Sequence, residues 1–99
     1  MTKKEVLDLI SSRGLLKIRY KNYEIEYIEG EKVFYDDVFH NRQNVYGVYY
    51  NPKYKKYAFF ITGEERGGIV DYFRSYETEE DAYSAMYKHI ELLFRAYNP

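Results

Sequence analysis

The chain has 99 residues, no cysteine, no tryptophan, 14 tyrosines and a formal net charge of −1. These figures exclude a disulfide framework and a thiolate metal site, leave no general attraction to nucleic acid, and bound the fold to a single domain over 1–99. With 45% apolar and 31% charged residues the composition is that of a folded domain, and no apolar run reaches the roughly 18 residues that a membrane-spanning helix needs.

The first residues, Met1-Thr2-Lys3-Lys4-Glu5, do not read as a secretory signal, so the expected location is the cytoplasm, with no membrane partner. Thr2 and Glu5 form a capping-box pair at the start of a helix. Val6, Leu9 and Ile10 follow at helical spacing, and Gly14 is the usual stop, which predicts a helix over about 3–13. Leu15 or Leu16 is expected to fold back on its end.

"LKIRYK" and "YEIEY" alternate strictly, with Leu16, Ile18, Tyr20, Tyr23, Ile25 and Tyr27 on one face. Lys17, Arg19 and Lys21 form a basic comb, and Glu24 and Glu26 an acidic one. Lys21-Asn22 is either a tight turn that sets the two combs side by side or the middle of one bent strand; the sequence leaves both open. Glu29-Gly30 is a turn into a strand, "KVFYDDV", and "HNRQN" is a polar loop.

"VYGVYY" is a strand whose glycine signals a bulge or a close neighbour. Asn51-Pro52-Lys53 is a turn, "KYAFFIT" an interior strand, "GEERGG" a loop and "IVDYFRSY" a further strand. Thr78 caps a second helix running from about Glu79 to Ala96. Its stripe of Ala82, Met86, His89, Ile90 and Leu93 is widened by Tyr83, Tyr87, Phe94 and Tyr97. Either the first helix packs over that flank or the flank is exposed and meets a partner; a two-layer domain favours the first. The order implies an α+β fold: an N-terminal helix, an antiparallel β-meander of four to six strands, and a C-terminal helix packed on the sheet.

No residue pattern points to catalysis. His40 and His89 are 49 positions apart, and His89 reads as a partly buried, hydrogen-bonded helix residue. Gly67-Gly68 lacks the lysine–serine/threonine pair of a phosphate loop, and the acidic residues lack the spacing of a calcium loop. No cofactor and no metal are expected. The candidates are for partner binding. Glu24, Glu26, Glu29, Glu31, Asp36 and Asp37 form an acidic run, and Tyr49, Tyr50 and Tyr54 lie in a tyrosine-dense stretch. Tyrosine supplies rigid contact area with a polar tip, and acidic residues steer a basic partner. Only "NPKYKKY" interleaves lysine with tyrosine in the manner of a nucleic-acid stacking surface.

The segment "YKKYAFFITGEERGGIVDYFRSYETEEDAYSAMYKHI" resembles the C-terminal half of small bacterial immunity proteins from polymorphic-toxin systems, including those beside LXG toxins exported by type VII secretion. The matching elements are the aromatic strand Tyr57 to Ile61, the turn Glu65-Arg66-Gly67, the apolar strand Ile69 to Phe73 and the acidic helix start Thr78 to Ala82. They cover about a third of the chain. The resemblance implies a non-enzymatic cytoplasmic protein, a monomer or weak homodimer, that binds and neutralises a cognate toxin. Its partner is expected to have a basic surface. The alternative is a phage- or plasmid-encoded inhibitor of nucleic-acid-processing machinery.

Overall fold

The computed structural model describes residues 1–29, 34–35, 38–39, 44–52, 54–62 and 70–98. The first helix, α1, covers Lys3–Ser12, and both halves of its capping box are made: the Glu5 amide donates to Thr2 Oγ1, and the Thr2 amide to the Glu5 carboxylate. Its end is a Schellman turn. Gly14 takes φ +69°, its amide donates to Ser11 O, and the Leu15 amide donates to Ile10 O at 2.7 Å. Of the two leucines that follow, Leu15 is the one buried against the helix end, while Leu16 is exposed.

Strands β1 (Lys17–Tyr20) and β2 (Tyr23–Tyr27) pair antiparallel, with Tyr20 opposite Tyr23. The segment is therefore a hairpin turned at Lys21-Asn22, with Lys21 held in the left-handed region at φ 56°. The combs do stand side by side, Lys17 opposite Glu26 and Arg19 opposite Glu24.

The run expected as one strand after Glu29 is instead two short strands, β3 (Phe34–Tyr35) and β4 (Val38–Phe39), paired antiparallel in a sheet of their own. In the sequence they are separated by two adjacent aspartates, which are poor strand formers. Strands β5 (Val45–Asn51), β6 (Lys56–Thr62) and β7 (Val70–Tyr76) form an antiparallel meander. The main sheet has the order β1-β2-β5-β6-β7. It is antiparallel except at one join, where β2 and β5 run in the same direction, with Glu26 beside Val45 and Tyr27 beside Tyr46.

The second helix, α2, covers Glu79–Tyr97 and starts at Thr78, whose hydroxyl accepts from the Asp81 amide at 3.1 Å. It touches β1, β5, β6 and β7, and α1 packs against it. One main core lies between sheet and helices. Val6 and Ile10 of α1, Ile18, Ile25, Tyr46, Phe59 and Ile61 of the sheet, and Tyr83, Met86 and Ile90 of α2 are its best-buried members. A smaller cluster of Ile28, Val45 and Phe60, with Tyr49 against it, lies on the opposite face of the sheet. The central strands are thus buried on both faces, which is why "VYGV" and "AFFIT" read as near-continuous apolar runs. Gly47 is required there. A Cβ at this position would collide with the carbonyl oxygen of Ile28 and sit 3.2 Å from the Phe60 ring.

Candidate functional site

The β5–β6 register decides where the tyrosines go. Alternation sends Tyr46, Val48 and Tyr50 to the helix-bearing face, opposite Ile61, Phe59 and Tyr57 respectively, and sends Gly47 and Tyr49 to the other. Tyr46 is fully buried, and its hydroxyl donates to Leu15 O at 2.6 Å. Burial also holds its phenol well above the usual range. Tyr49 is half-buried, edge-on to Phe60 at 6.0 Å. Tyr50 is 47% exposed and Tyr54, in the connecting turn, 64%.

A surface forms at this end of the sheet from Tyr50, Tyr54 and two residues that sequence reasoning did not select. Tyr57 stands opposite Tyr50 with the rings 5.0 Å apart, and Tyr76 stands opposite Tyr57 on the next strand. Three tyrosines thus make a row across β5, β6 and β7. The signal for Tyr57 was available: Asn51 pairs with Lys56 across the Pro52 turn, which sets Tyr50 opposite Tyr57. Lys55 is exposed beside the row, and Lys56 is paired with Glu77 at 3.1 Å.

The acidic candidates do not gather into one patch. Glu24 and Glu26 are exposed on the face away from the helices, where Arg19 and Lys17 face them across the hairpin. The outer face of β1–β2 therefore alternates in sign. Glu29 is elsewhere: its carboxylate accepts from Lys3 Nζ and from the Tyr27 hydroxyl, each at 3.0 Å. The Tyr27 and Tyr83 hydroxyls lie 3.2 Å apart, and Lys3 sits over the Tyr83 ring. Burial, then the contact with Tyr83 and the charge of Glu29, drive the Tyr27 phenol far above its ordinary range; burial likewise raises Tyr83. Burial alone would lower Lys3, but its hydrogen bond to Glu29 and the surrounding charge outweigh it and raise the ammonium. Neutral phenols and a paired ammonium give an internal tie between α1, β2 and α2. Glu31, Asp36, Asp37, His40 and the 63–68 loop lie outside the described residues.

The acidic and tyrosine candidates also lie at different heights on the sheet. Because β2 and β5 run parallel with Glu26 beside Val45, Glu24 and Tyr50 are seven residue steps apart along the strand direction, about 23 Å at roughly 3.3 Å per residue. His89 rests against the Phe59 ring at 5.4 Å, and burial lowers its pKa. No family model, curated protein or solved structure gives a significant match to the chain.

Proposed function

We propose that this chain is a cytoplasmic immunity protein that binds and neutralises a cognate secreted toxin domain. The observation that carries the reading is the exposure of Tyr50 and Tyr54 at the end of a hairpin whose base is locked into the core. Tyr57 backs Tyr50, and Tyr46 and Val48 on the same strand are buried. Amphipathic rings held on a rigid element anchor a protein partner at low conformational cost. The resemblance of residues 54–90 to toxin-system immunity proteins supplies the kind of partner. Tyr50 and Tyr54 are the anchors in this reading. Glu24 and Glu26 are a separate, weaker contact, because Arg19 and Lys17 offset their field.

The test is co-expression with the toxin domain encoded by the neighbouring gene. The intact chain restores growth and co-purifies with that domain, while the Tyr50→Ala/Tyr54→Ala double variant does neither and remains folded by circular dichroism. Absence of both rescue and complex with the intact chain overturns the reading. Rescue that survives the double variant overturns the placement of the contact.

A further inference from the structure

Among the described residues β1 is an edge strand of the main sheet, with β2 as its one strand neighbour. The Tyr27 amide donates to Leu16 O at 2.8 Å. By alternation the backbone groups of Leu16, Ile18 and Tyr20 turn towards β2, and those of Lys17 and Arg19 turn to the open side. An open edge of this kind is a template for another strand. Here it is occupied in an unusual way. The Arg19 amide donates to Asn98 Oδ1 at 2.9 Å, and Asn98 Nδ2 donates to Arg19 O at 3.0 Å. A carboxamide offers one acceptor and one donor, the same pair that a residue of an adjacent strand offers. Asn98 is the C-cap of α2, its amide bonded to Phe94 O, so the helix delivers it to this position.

We propose that the Lys17–Tyr20 edge is a docking site for an extended acidic segment, and that Asn98 is the latch that closes it. The chemistry of the occupant follows from the side chains of β1. Lys17 and Arg19 are exposed on the outer face, and Ile18 and Tyr20 are buried on the inner one. On its paired side β1 is already answered by Glu24-Ile25-Glu26, acidic outside and apolar inside. A segment of the same acid–apolar–acid pattern satisfies the open side, with its apolar residue near Leu16 and Tyr97. Both of these are partly exposed, and Tyr97 is edge-on to Tyr20 at 5.6 Å. A second copy of β1 does not fit, because two-fold pairing sets Lys17 and Arg19 against like charges. This edge is distinct from the tyrosine row, and its test stands whether or not a toxin is the partner there.

The probe is a fluorescein-labelled peptide of residues 22–28, NYEIEYI, titrated at low salt into the full chain and followed by anisotropy. The Asn98→Ala chain binds it at least tenfold tighter than the unmodified chain. The same peptide carrying Glu24→Lys and Glu26→Lys does not bind. Asn98→Asp keeps the acceptor towards the Arg19 amide and adds a negative charge at the edge, so it binds the acidic peptide no better than the unmodified chain. Amide exchange supplies the second reading: Arg19 exchanges at least tenfold faster in Asn98→Ala, while Ile18 and Tyr20 stay protected. Equal binding by latched and unlatched chains, equal binding of acidic and basic peptides, no binding at all, or unchanged exchange at Arg19 overturns the proposal.

Discussion

Replacing Gly47 by alanine isolates the closest approach in the sheet. On propensity alone the change is favourable, because glycine in a strand loses more backbone freedom on folding than alanine does, by about 0.5–1 kcal/mol. The structure reverses the sign. The new methyl meets the Ile28 carbonyl oxygen head-on and the Phe60 ring at 3.2 and 3.3 Å. Neither neighbour yields easily: the Ile28 amide is bonded to Tyr46 O at 2.9 Å, and Phe60 is fully buried. Overpacking of this kind costs about 1–3 kcal/mol. Loosening the Ile28–Tyr46 bond adds about 1 kcal/mol. Set against the favourable backbone contribution, the net loss is about 2 kcal/mol, a large share of a stability on the order of 5–10 kcal/mol. For a domain of this size that lowers Tm by about 10 °C. The internal control is Gly14→Ala, where φ is +69° but no atom lies within 4 Å; only the backbone penalty of about 1 kcal/mol applies there. Urea titrations of both variants measure the difference. A Gly47→Ala loss no larger than that of Gly14→Ala refutes the steric argument.

Thr78→Ala removes the acceptor of the Asp81 amide and lowers stability by about 1 kcal/mol, read as a shift in the denaturation midpoint at constant slope; an unmoved midpoint refutes the cap. For His89, burial holds the folded pKa below 6.5, so the unfolded chain takes up the proton first. Stability is then full above about pH 6.5 and falls as pH drops through the folded pKa. His89→Gln flattens that slope between pH 5 and 7, and an unchanged slope refutes its assignment to His89. Tyr54→Ala leaves stability within about 0.5 kcal/mol, as exposed substitutions do, and Tyr50→Ala costs about 1 kcal/mol through its lost ring contact with Tyr57; both speed dissociation of the proposed toxin complex in surface plasmon resonance, and unchanged dissociation refutes their role as anchors.

What the sequence carried legibly was local. Thr2, Gly14 and Thr78 mark helix ends because a cap is a contract between residues three to five apart, and all three behave as their neighbours require. Of the two readings that the breadth of the α2 stripe left open, the packing of α1 is the one found, since Tyr83 and Tyr87 are buried with Val6 and Ile10. The Lys21-Asn22 turn was ambiguous because its left-handed residue is a lysine, not the glycine or asparagine that ordinarily announces such a turn. The parallel join of β2 to β5 was invisible, because alternation records which face a side chain takes, not which strand lies beside it. The same limit hid the fate of the acidic run. Alternation does set Glu29 on the face of Ile25 and Tyr27, away from Glu24 and Glu26, but it does not name Lys3 and Tyr27 as its partners. Tyr46 and Tyr50 share a face, yet one is buried and the other exposed, which alternation does not record.

The single parallel join has a consequence for how the chain folds. Hairpin β1–β2 and meander β5–β6–β7 each close from neighbouring sequence, with short loops and little entropy to overcome. Between them, among the described residues, the sheet has two registered residue pairs, Glu26 with Val45 and Tyr27 with Tyr46. The wider tie is α2, which touches β1 at one end and β7 at the other. The slow event is then the docking of a helix across two preformed halves, a contact of long sequence separation. Substitutions at the α2–β1 contact should slow folding in proportion to the stability they remove, while those inside either half should chiefly hasten unfolding.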